Sequence, residues 1–160
     1  MRPLLMLAAL IGVIASAAPP VHFQPQAFLA GSCWKGTFPD GKQVDEHCFE
    51  WVYDGQFLRD RHNVIGGQAP YGGESIYYFD ESSKTVRYLY INVLGGHSGG
   101  SVSTQGDTLV FPEEKYSDGS GEQVYRSSWR RDGDDAYLVV TEQKVQDRWK
   151  EAWRVRMQRQ

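Results

Sequence analysis

The chain is predicted to be all-β, an antiparallel up-and-down β-barrel of about eight to ten strands. Three observations predict it. From residue 31 to the end, short runs rich in Val, Ile, Thr and aromatic residues alternate with Gly, Asp, Asn and Ser, which is the pattern of strands and turns. No convincing helical period interrupts them. The connections are short, so sequence neighbours pair, and a ladder this long must close or stack to hide its edges.

The 160 residues allow one domain. Met1-Arg2 is a short positive start, 4–14 is apolar, and Ala15-Ser16-Ala17 is a small-x-small cleavage site. Residues 1–17 are therefore expected to be a secretory signal peptide, too short for a stable membrane span, and the mature protein to be periplasmic or secreted. Residues 18–30 contain Pro19, Pro20 and Pro25 and lack periodicity, so they are expected to be a disordered tether. Residues 31–160 are the barrel domain. The net charge of -3 offers no basic patch for nucleic acid or anionic lipid.

The strands are expected at 33–38, 42–53, 56–65, 74–80, 85–94, 101–104, 108–112, 123–131, 136–145 and 149–158. The first two meet at Asp40-Gly41, a type I′ turn signal. Mirroring positions across that turn sets Thr37 against Val44, Trp34 against His47 and Cys33 against Cys48. The two cysteines of an exported chain then fall opposite one another as a hydrogen-bonded pair, and a disulfide is expected. Closing that loop is worth about 3 kcal/mol in the chain-entropy model. The last segment has helix-forming residues, but as a strand it places Trp149, Trp153, Val155 and Met157 on one face.

The same register sorts the faces, because side chains alternate across a strand. Trp34 and Phe38 share an aromatic face with His47, Phe49, Trp51 and Tyr53, which should point inward. Cys33, Lys35, Thr37, Glu46, Cys48 and Glu50 should face solvent. Tyr125, Ser127 and Trp129 alternate together, as do Tyr88, Tyr90 and Asn92. Arg59 and Arg61 share a face with Phe57 and Asn63, and Leu138 and Val140 with Glu142. Hydroxyls and an amide among aromatics suit a cavity for a partly polar ligand. The candidate contacts are Trp34, Trp51, Tyr53, Tyr88, Tyr90 and Trp129 for stacking surface, with His47 and Arg61 as polar anchors.

The opening Gly31-Ser32-Cys33-Trp34-Lys35-Gly36 resembles the Gly-x-Trp start of the calycin superfamily, with the glycine one residue farther from the tryptophan. The run Phe49-Glu50-Trp51-Val52-Tyr53-Asp54-Gly55-Gln56-Phe57-Leu58 is similar to secreted bacterial lipocalin-like proteins. The resemblance covers essentially residues 28–159. It implies a lipocalin-like barrel, open at one end, that binds a small hydrophobic or amphipathic molecule. It also implies a basic residue of the last strand packed near Trp34, for which Arg154 and Arg156 are candidates. Haem-binding relatives ligate iron through a late histidine, and the last histidine here is His97, so haem is disfavoured and no cofactor is expected.

Other motifs exclude more than they suggest. Gly96-His97-Ser98-Gly99-Gly100 matches a nucleophile elbow, but a strand rather than a helix follows and no histidine lies downstream. The His47-Cys48 and Ser98-Gly99-Gly100 pairs echo trypsin-like proteases, which need two barrels. The four histidines are scattered along the chain, so no metal site is expected. The stretch Gly95-Gly96-His97-Ser98-Gly99-Gly100 is expected to be a loop at the barrel mouth, open to a protein partner, and 113–121 a polar loop. Two rival readings stay open beside the container: a secreted inhibitor acting through those loops, and a barrel enzyme using His47 or Glu142 as acid/base with Arg61 holding an anion.

Overall fold

The computed structural model describes residues 18–160, and the expected signal peptide, 1–17, lies outside them. The chain runs through a 3-10 helix, Val21–Gln26, and then ten strands: β1 (Ser32–Thr37), β2 (Val44–Val52), β3 (Phe57–Ile65), β4 (Tyr71–Asp80), β5 (Thr85–Asn92), β6 (His97–Gln105), β7 (Thr108–Asp118), β8 (Gly121–Arg131), β9 (Ala136–Val145) and β10 (Arg148–Arg159). Each strand pairs with its sequence neighbours, and β1 closes on β10 through Trp34↔Arg159 and Lys35↔Gln158. The up-and-down barrel is as the sequence predicts, and closure leaves no free edge.

The first hairpin has the expected register, including Cys33↔Cys48 and Trp34↔His47. Its turn differs. Gly41 N–H donates to the Phe38 carbonyl and Phe38 N–H to Gln43, while Gly41 alone takes positive φ. Proline at 39 favours this four-residue loop, because Pro39 has no N–H for a tighter turn. The change moves the hydrogen-bonded pairs by one position. The cysteines therefore form a non-hydrogen-bonded pair, 4.0 Å apart at Cα, joined as the disulfide.

Three expectations about the elements are corrected. Of the 95–100 stretch only Gly95 and Gly96 lie in a rim connection, because β6 begins at His97, and 113–121 is mostly β7. Glycines hide this strand because they carry no side chains to alternate; a Cβ at Gly96 would fall 2.0 Å from the Tyr116 hydroxyl, and one at Gly100 2.9 Å from that of Tyr88. The wall is bare there so that tyrosines can lie against it. Second, β10 is bulged between Glu151 and Trp153. The bulge puts Trp149 outside, over which Arg126 stacks at 4.5 Å, and turns Trp153 towards Tyr125.

Third, residues 18–30 are not a disordered tether. Phe23 and Leu29 are fully buried. Phe23 packs edge-on against Trp51, His22 stacks on Phe79, and the Trp34 indole N–H donates to the Leu29 carbonyl. The segment plugs one end of the barrel. Burying one such aromatic side chain stabilises by about 2–3 kcal/mol, which order requires in a segment without strand partners.

The plugged end continues into an apolar core of Trp34, Phe49, Leu58, Tyr77, Tyr137 and Met157 with their neighbours. Arg159 lies over the Trp34 ring at 4.3 Å. Arg154 and Arg156, the expected partners, point outward and pair with Glu151 and Asp132. Alternation explains this: Val155, Met157 and Arg159 share the inward face. The opposite rim consists of the hairpin connections 38–43, 66–70, 93–96, 119–120 and 146–147.

Candidate functional site

Polar side chains gather inside the barrel towards that unplugged rim. Strand alternation delivers Asp45 and His47 from β2, Asp60 and His62 from β3, Tyr71 from β4, and Tyr90 and Asn92 from β5. The second hairpin mirrors about Asp54-Gly55, which sets His47 directly opposite His62. Their rings stack with centroids 5.0 Å apart.

His47 is gripped from both sides. Its Nδ1 lies 2.8 Å from Asp60 Oδ2, and its Nε2 lies 3.0 Å from Asp45 Oδ2. Burial works against a charged imidazole here, yet the Asp60 and Asp45 carboxylates outweigh it and hold its pKa well above the usual value. Burial likewise works against the Asp45 carboxylate, and His47 with His62 overcomes it, so Asp45 titrates well below the ordinary range. Asp60 is only 2% exposed, so this carboxylate depends on its imidazole partner.

From His62 a chain of hydroxyls runs towards the rim. His62 Nε2 is 3.0 Å from the Tyr90 hydroxyl, which is 2.9 Å from that of Tyr71. Asn92 Nδ2 donates to the hydroxyls of Tyr71 at 3.3 Å and Tyr116 at 2.8 Å. Burial raises the Tyr90 and Tyr71 phenols, so both remain protonated donors. A second group joins Tyr88 and Ser98 to Glu114, whose carboxyl is raised by burial despite those donors. Ser98 lies on a strand, donating to Glu114 at 3.0 Å, so the elbow-like motif forms no nucleophile elbow. Tyr125, Gln123 and Gln143 complete the polar lining.

The predicted site residues divide. Trp34 is fully buried and Tyr88 nearly so, both within the core. Trp51, Tyr90 and Trp129 pack against it from partly exposed positions. Trp51 lies at the plugged end, and Trp129 packs on Phe111 at 4.6 Å. His47 faces inward as expected. Two residues do not: Tyr53 sits in the β2–β3 turn with φ 52 and is 78% exposed, and Arg61 lies outside against Glu50. Glu142 is also outside, bound to Arg126 at 2.6 Å, because the inward residues of β9 are Tyr137, Val139 and Thr141. An acid/base role inside the barrel thus has no support from Glu142.

Sequence reasoning named none of Asp45, Asp60 and His62 as site residues, and from the scattered histidines it expected no metal site. The signal was present. The mirror rule that paired the cysteines about Asp40-Gly41 pairs His47 with His62 when applied to Asp54-Gly55.

No protein-family model matches this chain, and no curated protein matches it. Among solved structures the fold is similar to one titled "Crystal Structure of Rv2717c from M. tuberculosis". The match has a TM-score of 0.62 at 16% identity and covers 89% of this chain and 99% of that one. The protein is thus a closed antiparallel barrel, and at this identity the likeness concerns the fold alone.

Proposed function

We propose that this protein is an exported, lipocalin-like container that binds one small amphipathic molecule in the unplugged half of its barrel. The observation that carries the reading is the gathering of Asp45, His47, His62, Tyr71, Tyr90 and Asn92 on inward faces of neighbouring strands beside that rim. A barrel built only for stability fills with aliphatic and aromatic side chains, as the plugged half does. Hydroxyls, an amide and the His–Asp group suit the polar end of a ligand, and Trp129, Tyr125 and Trp153 suit an apolar or aromatic body. The basic residue packed on Trp34, here Arg159, supports kinship with the calycins.

Export rests on the apolar leader and on the disulfide, which suits an oxidising compartment. Among the described residues no helix is long and apolar enough to cross a membrane. Native mass spectrometry of protein purified from its own source tests the container. A retained small molecule is the expected result, and an unliganded mass alone overturns the reading.

A further inference from the structure

Asp45, His47 and His62 each offer one ligand atom, and these atoms lie within 4.8 Å of one another. The Asp45 carboxylate faces both rings, with its Oδ2 3.0 Å from His47 Nε2 and its Oδ1 3.5 Å from His62 Nδ1. Donors bound tetrahedrally to one zinc-sized ion at ordinary bond lengths stand about 3.3 Å apart. Both distances lie close to that figure, so the carboxylate and the two rings stand near the spacing that ligands of one shared ion have.

Three further observations point to a ligand at this place. Asp45 Oδ1 and His62 Nδ1 are buried and have no hydrogen-bond partner among the described residues, although they face each other. Buried polar atoms are normally satisfied, and an ion that both could ligate explains the pair. The outer nitrogens of both rings are already held: His47 Nδ1 by Asp60 at 2.8 Å and His62 Nε2 by the Tyr90 hydroxyl at 3.0 Å. For His47 that is the carboxylate–histidine arrangement that fixes the tautomer and orientation of metal-binding imidazoles, and for His62 a hydroxyl takes the carboxylate's place. Finally, the inward carboxylates of Asp45 and Asp60 together carry the charge that a divalent cation neutralises.

We infer that Asp45, His47 and His62 form a binding site for a divalent first-row transition-metal ion, with Asp60 and Tyr90 as positioning residues. Two imidazoles and one carboxylate suit Zn²⁺, Co²⁺, Ni²⁺ or Fe²⁺ rather than Ca²⁺ or Mg²⁺, which prefer all-oxygen sets. Three protein ligands leave at least one coordination position for water or an exogenous donor. The thiols take no part, because Cys33 and Cys48 are joined to each other. The site stands independently of the container reading, since an ion can bind whether or not an organic molecule does.

The test is titration of the untagged protein with cobalt(II) chloride, followed by visible absorption, with zinc chloride as competitor. The expected result is one equivalent bound, with the intense d–d bands of a low-symmetry site, displaced by Zn²⁺. Asp45→Asn and His62→Gln each weaken binding by about 100-fold or more, and Asp60→Asn by about 10- to 100-fold. Circular dichroism and unfolding midpoints identify which variants remain folded, and the folded ones decide the matter. No cobalt spectrum in the wild-type protein overturns the site, as does a spectrum unchanged in the folded ligand variants. A bound metal without a retained organic molecule would leave this site standing while the container reading falls, and the reverse result would do the opposite.

Discussion

The plugged half of the barrel interior is closed by Phe23, Leu29, Trp34, Leu58 and Tyr137. The half beside the hairpin rim instead holds two hydrogen-bonded groups, Asp45 with His47 and His62 with Tyr90, Tyr71 and Asn92, which meet where the two histidine rings stack. One wall, built of the same strands, serves both. Alternation decides only which side chains point inward, and the position along each strand decides which half they enter. The apolar half supplies burial energy. The polar half places ionisable and hydroxyl groups where desolvation makes them costly, and they are held there by one another's charges and hydrogen bonds.

The largest effect should fall in the apolar half. Phe23→Ala empties a buried site in the plug and should cost about 4 kcal/mol, read as a fall in urea midpoint at unchanged slope. A loss below about 1 kcal/mol would show that the plug is not part of the folded core, and the contrast between the halves would then rest on the polar half alone.

A smaller effect of opposite sign is expected at Glu114. Burial holds its carboxyl above the ordinary value. Such a group favours folding in acid, and that contribution is lost as pH rises through its folded pKa. Glu114→Gln keeps an acceptor for Tyr88 and Ser98 and removes the buried charge. The variant should match the wild type in mildly acidic buffer and exceed its stability by about 1 kcal/mol in neutral buffer. Denaturant unfolding at both pH values checks this. A variant less stable in neutral buffer would mean that the ionised Glu114 holds the fold together.

Much of this was legible in the sequence, and the failures have physical causes. The strand ladder, its closure and the Cys33–Cys48 register follow from turn residues and period-2 alternation. The inward faces of Tyr88, Tyr90 and Trp129 follow from the same alternation. The plug was illegible because a short irregular segment has no period, so Phe23 and Leu29 look like any tether residues. The start of β6 was illegible because glycines carry no face. Trp149 was misplaced by a bulge that local sequence does not announce, and Tyr53 by a turn that interrupts the alternation. The histidine pair could have been read from the Asp54-Gly55 turn, but its orientation by Asp60 and Tyr90 depends on three strands meeting.

In the proposed container the polar half holds the ligand and the apolar half holds the barrel. The most direct measurement is native mass spectrometry of a Tyr71→Phe/Tyr116→Phe protein from its own source, beside the wild type. These changes remove the hydroxyls that Asn92 contacts while keeping both rings. A stability cost of about 1 kcal/mol or less per hydroxyl is expected, together with loss of the retained molecule. A folded variant that retains the molecule as fully as the wild type would mean that the polar half does not bind it.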